Sequence, residues 1–378
     1  MRWIYLDYNA TTPIAPSVQE AMLPYLSERH GNPSSSHVLG RMCQEAMEDA
    51  RGQVASLLGA DRDEIVFTSG GTEANNLALK GVMLKHAPSG GGHLVISALE
   101  HAAISEPARF LERIGYDVTV VGCNRQGLVD PAAIATALRP DTLLVSIMHA
   151  NNETGAIQPL REIAALCHER EVLVHTDAAQ SVGKVRVRVD ELEVDLLSLA
   201  GHKLYAPKGV GALFVRRGVA LEPVLHGAGH EGGLRAGTEN VASIVGLGRA
   251  AVLASKSMEE AALRLEALRD RLVERLQAEL GPELMIHSEH APRLPNTLSI
   301  SFPHVAGEDL LARVPELCAS TSAACHQHAA AMSPTLAAIG LPPAVARGTV
   351  RLSVGWYTTE EEIDRAASLL LAAWEDLR

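Results

Sequence analysis

The chain predicts an α/β fold, with a large domain built on a mostly parallel seven-stranded sheet and a smaller α+β domain at the C-terminal end. Three observations carry this. Short apolar, β-branched runs alternate with longer helical patterns between about residues 60 and 220. Several of those runs are apolar on both faces, as strands of a parallel sheet covered by helices must be. From about Ser255 the alternation stops and a long, charged amphipathic stretch begins, which marks a second packing unit.

Taken in order, the first helix is expected near Ser17. The candidate strands are residues 65–68, 94–97, 118–121, 143–148, 173–175, 196–199 and 211–215. Residues 74–85, 131–137 and 160–169 read as helices between them. Residues 258–280 read as one helix with Leu263, Leu265, Leu268, Leu272 and Leu276 along a single face. After it come a strand at 297–301, a helix near Leu310, a segment with Cys318 and Cys325, a strand at 350–354 and a last helix from Thr359. The opening residues are expected to pack against this second unit. The division is therefore a large domain at 13–255 and a small domain made of 1–12 and 256–378. No repeat, low-complexity tract or long linker interrupts it.

Composition narrows the function classes. A chain of 378 residues, 47% hydrophobic and 21% charged, is long enough for two domains and has the balance of a soluble globular protein. Aromatic residues make up only 3%, so Leu, Val, Ala and Ile must fill the core. A formal charge of −12 argues against nucleic acid, whose phosphates require a basic surface. Five cysteines, an odd count without a C-x-x-C pair, suit neither a disulfide framework nor structural zinc. Asp7 interrupts the N-terminus before an apolar signal core forms, and no run is expected to reach membrane-spanning length. The expected location is the reducing cytoplasm.

Open α/β sheets bind ligands beyond the carboxyl ends of their strands, and the distinctive motifs lie there. Ser198-Leu199-Ala200-Gly201-His202-Lys203 puts a lysine at the end of a buried strand. A lysine is kept at the surface unless its amine has chemical work; that work would be a Schiff base with an aldehyde cofactor, pyridoxal phosphate. Ser69-Gly70-Gly71-Thr72-Glu73 opens a helix and can hold a phosphate on backbone N–H groups and the Thr72 hydroxyl, or be an ordinary β-α turn. Asp177 ends another strand and can pair with a pyridinium nitrogen or cap a helix. Gln180 can donate to the ring's phenolic oxygen. His101 can stack on the ring and move protons, or be structural. The asparagines of His149-Ala150-Asn151-Asn152-Glu153-Thr154-Gly155 can be plain turn formers.

Together these motifs resemble the pyridoxal-phosphate-dependent cysteine desulfurases and selenocysteine lyases, within the fold-type I, class V aminotransferase-like enzymes. The resemblance runs over nearly the whole chain, from Tyr5-Leu6-Asp7-Tyr8-Asn9-Ala10-Thr11-Thr12-Pro13 and Gly31-Asn32-Pro33-Ser34-Ser35 to Arg235-Ala236-Gly237-Thr238-Glu239-Asn240. It ends with Ser322-Ala323-Ala324-Cys325 and Arg351-Leu352-Ser353-Val354-Gly355. It implies Lys203 as the Schiff-base lysine, Asp177 as partner of the ring nitrogen and Gln180 on the phenolic oxygen. His101 would stack on the ring; Gly71, Thr72 and His202 would hold the phosphate, and Thr238 would reach the phosphate of the partner subunit in a homodimer. Asn152 and Arg351 would bind the substrate carboxylate, and Cys325 would accept sulfur from L-cysteine as a persulfide for an acceptor such as an iron–sulfur scaffold. Lys203, Cys325 and His101 would then be the catalytic set, acting without a metal, because Cys325-His326-Gln327-His328 lacks a second ligand pair at zinc spacing.

Two positions depart from the family pattern. Ala200 replaces a common serine, and Trp356 stands where arginine is usual. Ala200 and the Cys325-His326 pair are closer to selenocysteine lyases, which keeps L-selenocysteine as the alternative substrate. A non-catalytic binding protein is disfavoured by the presence of Lys203, Asp177 and Cys325 together, and an aminotransferase would not need Cys325.

Overall fold

The computed structural model describes residues 3–321 and 332–378. The chain opens with β1 (Ile4–Tyr5), α1 (Pro16–Leu26) and α2 (Val38–Leu58). The alternating stretch forms β2 (Ile65–Thr68), α3 (Gly71–His86), β3 (His93–Ser97), α4 (Ala102–Arg113), β4 (Asp117–Val121), α5 (Pro131–Ala137) and β5 (Thr142–Ser146). It continues with α6 (Leu160–His168), β6 (Leu173–Asp177), α7 (Val189–Leu192), β7 (Leu196–Ala200) and β8 (Gly211–Val215). Then come α8 (Val241–Leu280), β9 (Met285–Ile286), β10 (Thr297–Ser301), α9 (Gly307–Ala312), β11 (Leu317–Cys318) and β12 (Ser320–Thr321). The end of the chain holds α10 (Pro334–Ala338), α11 (Pro343–Arg347), β13 (Thr349–Ser353) and α12 (Glu360–Leu377).

All seven expected strands join one sheet in the order β2-β8-β7-β6-β5-β3-β4. Only β8 runs against the others, pairing antiparallel with β2 and β7. Successive residues of a strand face opposite ways, so two apolar layers are built at once. Phe67, Val95, Val145, Leu197 and Phe214 enter one core, while Val66, Leu94, Leu144, Leu196 and Leu213 enter the other with α3 and α4. This is why those strands are apolar on both faces. β4 is one edge and β2 the other; Val120 of β4 is exposed.

A second sheet, β12-β13-β10-β9, is antiparallel. Its core joins Ile300 and Leu352 to Leu265, Leu268, Leu272 and Leu276 of α8, to Leu370 and Trp374 of α12, and to Ile4 and Leu6. The opening residues thus pack where expected, with β1 pairing parallel to β11. Thr359 starts α12 through a capping box with Glu362.

Three expectations are corrected in α8. It begins at Val241 rather than near residue 258, because its first half is rich in small residues that hide the amphipathic period. A Cβ on Gly246 would meet Met22 Sδ at 2.8 Å, and one on Gly248 would meet Ala50 Cα at 2.6 Å, so these glycines let α1 and α2 pack closely. Leu263 is 71% exposed; two residues before Leu265, it points to the opposite side of the helix. A window of this helix is also as long and apolar as a membrane span, contrary to expectation, and half of it is buried inside the protein. Val241, Ile244, Val245, Leu247, Val252 and Leu253 supply most of that apolarity.

Candidate active site

The strands of the large sheet deliver their polar residues to one end. β7 ends at Ala200 and passes into a single turn, Gly201–Lys203, that raises Lys203 above the sheet. Only glycine fits at the start of the turn, since a Cβ on Gly201 would lie 2.9 Å from the Val210 carbonyl. Lys203 is half-buried. Its Nζ donates to the backbone carbonyls of Asn9 and, at 2.8 Å, of Ala10.

Asp177 closes β6 and is buried. No helix follows it directly, so it is not a helix cap. Its Oδ1 accepts the Ala179 N–H at 2.9 Å, and its Oδ2 accepts from Asn75 of α3 at 2.7 Å. The carboxylate is thereby fixed in orientation. Gln180, three residues on, donates through Nε2 to the Asn9 carbonyl at 2.9 Å.

His101 caps α4 by accepting the Ala103 N–H on Nδ1 at 3.0 Å, so the neutral ring carries its proton on Nε2. The residue is open to the cleft, yet its ring is desolvated on the protein side. That desolvation holds its pKa below the usual imidazole value, with Asp177 opposing and Lys203 reinforcing. All three therefore lie within electrostatic reach of one another.

The helix α3 begins beneath this group. Gly70 adopts φ +150°, which side-chain-bearing residues rarely take, and Gly71 opens the helix beside Ala200. A Cβ on Gly71 would stand 3.3 Å from the Ala200 methyl. Thr72 is exposed on the first turn. Glu73 braces the turn, accepting the Ser69 N–H at 2.9 Å and pairing with Arg235 Nε at 2.9 Å. Desolvation raises its pKa, but these hydrogen bonds outweigh that and leave it below the ordinary value. His202 lies next to Lys203, with Nδ1 3.2 Å from Thr11 Oγ1. Desolvation, then Lys203 and Lys208, lower its pKa to about 4, so it is neutral at neutral pH.

On the other side, β13 presents Arg351, opposite Ser320 of β12. Arg351 is buried; its Nη2 pairs with Asp7 at 2.8 Å, and its Nη1 donates to the Asn152 carbonyl at 3.2 Å. Its Nε is buried without a partner among the described residues. His101, Glu100, Asn152, Thr321 and Arg351 line a cleft of about 1020 Å³. Thr321 and Pro334, on either side of residues 322–331, also line it. Cys325, His326, Gln327 and His328 lie outside the described residues. Thr238 is exposed on the loop before α8, three residues after the Arg235 that grips Glu73.

A family model described as Aminotransferase class-V matches residues 4–366. The chain belongs to the class-V aminotransferase family. It is 44% identical to the cysteine desulfurase IscS of Dictyoglomus turgidum over 100% of this chain and 96% of that one. With the cysteine desulfurase IscS of Histophilus somni it shares 47% identity over 99% and 93% of the two chains. A solved structure called a NifS-like protein superposes with a TM-score of 0.91 at 38% identity, covering 100% and 99% of the chains. A NifS-like protein from Rickettsia africae gives a TM-score of 0.89 at 30% identity, over 99% and 100%.

Class-V aminotransferases of this branch depend on pyridoxal phosphate, and the residues present fit that group. The glycine-lined start of α3 leaves room and helix N–H groups for a phosphate. Asp177 stands clamped by two donors, and the Lys203 amine rests on carbonyls near it. Where the resembled family usually shows arginine, the Trp356 ring stacks on Tyr205 with centroids 3.9 Å apart, and the Trp356 backbone N–H donates to the Tyr205 hydroxyl at 2.7 Å. The tryptophan thus braces the segment just after Lys203.

Motif reasoning missed Asp7, Asn9, Asn75, Glu100 and Lys184. Asp7 and Asn9 lie inside the first matched motif, and Glu100 directly precedes His101. Lys184 had one available signal: it is an apparent surface lysine four residues after Gln180.

Proposed function

We infer that this chain is a pyridoxal-phosphate-dependent cysteine desulfurase that converts L-cysteine to L-alanine and leaves the sulfur on Cys325 for an acceptor protein such as an iron–sulfur scaffold. The observation that carries this is His101, which lines one cleft with Asn152, Arg351 and both described flanks of the segment that holds Cys325, and which lies within electrostatic reach of Asp177 and Lys203. The relatives named cysteine desulfurase support L-cysteine over L-selenocysteine.

Bound here, the cofactor supplies an electron sink for a carbanion at the substrate α-carbon. The chain's own residues do the rest. Lys203 is the amine that would bond the cofactor aldehyde and, once displaced, take the α-proton. Asp177, held by Asn75 and the Ala179 N–H, keeps a proton on the ring nitrogen. Gly71, Thr72 and His202 hold the phosphate, and Gln180 donates to the phenolic oxygen. The Nε of Arg351, buried without a partner among the described residues, takes the substrate carboxylate together with Asn152. Asp7 already holds the guanidinium edge in place. His101 would lie against the ring and would exchange protons through Nε2, its Nδ1 being held by the Ala103 N–H.

The Cys325 thiolate attacks the substrate sulfur. An S–S bond forms as the C–S bond breaks, and the C–S electron pair stays with carbon. That carbon then takes a proton and becomes the methyl group of alanine. We assign the chain to a cytoplasmic homodimer in which Thr238 reaches the partner's phosphate. The proposed domains are 13–255 and 1–12 with 256–378, two cores joined through α8.

The test compares L-cysteine with L-selenocysteine as substrates of the purified holoenzyme. Alanine should form from L-cysteine, with the extra sulfur on the Cys325 peptide by mass spectrometry. Cys325→Ser should bind L-cysteine but release no alanine. Sulfur on Cys43, Cys123, Cys167 or Cys318 instead, with undiminished alanine from Cys325→Ser, would overturn the assignment. Turnover confined to L-selenocysteine would make the protein a lyase.

A further inference from the structure

Lys184 has no part in the chemistry above, yet its side chain is buried, 8% exposed, on the turn that follows β6. Its Nζ donates to Gln180 Oε1 at 2.8 Å and to Asn9 Oδ1 at 3.0 Å. Both acceptors are neutral amide oxygens. An ammonium buried against neutral groups is costly. Desolvation, followed by the positive charges of Lys203 and Arg351, pushes the Lys184 pKa well below the ordinary lysine value. The amine offers one N–H to each of the two amide oxygens.

Asn9 is the hub of this cluster. Its Nδ2 donates to the Asn152 carbonyl at 3.2 Å and to Thr297 Oγ1 at 2.8 Å, which turns its Oδ1 toward Lys184 and Asn296. Its own carbonyl accepts from both Gln180 Nε2 and Lys203 Nζ. Carbonyl oxygens can only accept, so these contacts settle the orientation of both amides. The Gln180 nitrogen faces the Lys203 side, and the Gln180 oxygen faces Lys184. The charged groups around the hub are Lys203 from the end of β7, Arg351 of β13 with its partner Asp7, and Asp177 at the end of β6.

We propose that Lys184 is a positioning residue: by donating to Asn9 and Gln180 it locks the Gln180 amide so that Gln180 presents only N–H donors to the cofactor, and it steadies the Asn9 carbonyl on which Lys203 rests. This depends on the cofactor reading above. Without Lys184 the Gln180 oxygen is buried without a donor, and the amide gains reason to turn. A turned amide would present an acceptor to the phenolic oxygen and withdraw a hydrogen bond from its anionic form. The linkage between cofactor and Lys203 would then hold its proton to higher pH.

The experiment titrates the visible absorption band of the pyridoxal phosphate holoenzyme against pH in wild type, Lys184→Met, Lys184→Gln, Gln180→Ala and the Lys184→Met/Gln180→Ala double variant. Cofactor stoichiometry and Tm are measured alongside. Lys184→Met should raise the midpoint by about one pH unit, the size expected from loss of one hydrogen bond to an anion. Lys184→Gln, whose carboxamide retains two donors, should raise it less. In the Gln180→Ala background Lys184→Met should add almost nothing, because its effect passes through Gln180. An unmoved midpoint in both Lys184 variants, or a full shift that persists without Gln180, would overturn the proposal. If Lys184→Met does not fold, an unmoved midpoint in Lys184→Gln is sufficient to overturn it. A wild type with no pH-dependent band and no borohydride-trapped cofactor would refute the cofactor reading itself, which is a separate failure.

Discussion

Glu100→Gln should stabilise the protein, and the gain should grow as the pH rises. The Glu100 carboxyl reaches the wall of the cleft, but its Oε2 is buried without a partner among the described residues. Its Oε1 accepts from Ser97 Oγ and, at 2.9 Å, from the Met148 N–H. Desolvation is the main cause that pushes its pKa from 4.5 to about 8; the two hydrogen bonds oppose the rise, and the negative charge of Asp177 adds to it. The folded protein therefore holds a proton that the unfolded chain releases near pH 4.5. A group raised in this way favours the fold most below the unfolded pKa, and that advantage is lost as pH climbs through the folded one. Each pH unit in this window is worth about 1.4 kcal/mol, so by pH 8 the carboxyl costs the fold on the order of 4 kcal/mol relative to a neutral group. Glutamine keeps the acceptor oxygen and the shape but does not ionise. Tm of the two proteins measured side by side from pH 5 to 8.5 should nearly coincide at pH 5 and diverge steadily above it, with the variant higher. A difference that stays flat, or falls with pH, would refute the argument. Asp177→Asn in the same series should reduce the divergence, because it removes one cause of the shift.

Buried His149 and His287 have pKa values lowered by desolvation to about 4, so both stay neutral in the fold while the unfolded chain binds protons below about pH 6.5. Stability should fall as pH drops from 6.5 toward 4, and His287→Asn should flatten that decline in a denaturant series by up to about 1.4 kcal/mol per pH unit. An unchanged slope would remove His287 from the account. Lys203→Ala should still fold cooperatively yet lose the cofactor that borohydride reduction fixes to the protein; covalent labelling retained in that variant would move the linkage to another amine. Arg351→Lys should raise the apparent KM for the amino acid roughly tenfold or more while leaving the cofactor spectrum alone, since lysine keeps charge without the fork of donors. A loss of cofactor affinity with normal KM would make Arg351 structural.

Much of the site was legible because its chemistry sits at strand ends. Lys203, Asp177 and His101 each follow an apolar run, and residue type plus position suggested a role before any contact was known. Thr72 and Gly71 were legible for the same reason, as a glycine-rich start to α3. The long helix was read only from its charged second half, because Gly246 and Gly248 serve neighbouring helices and leave no amphipathic trace. Apolar type alone groups Leu263 with Leu265, but a step of two residues turns it to the opposite side of the helix.

The sequence by itself determined the seven strands, the layering of helices over them and the residue types gathered at one end of the sheet. Those depend on local periodicity and on which side chains leave water, and both are written in short windows. Only the tertiary structure decided which polar groups meet. Asn9 bonds Thr297 across 288 residues, and Arg351 pairs with Asp7 across 344. Whether a carboxyl such as Glu100 or an amine such as Lys184 is neutral depends on desolvation and on charges brought near by chain closure. Electrostatic energy varies with distance and burial, and a linear chain specifies neither until its two cores have packed together.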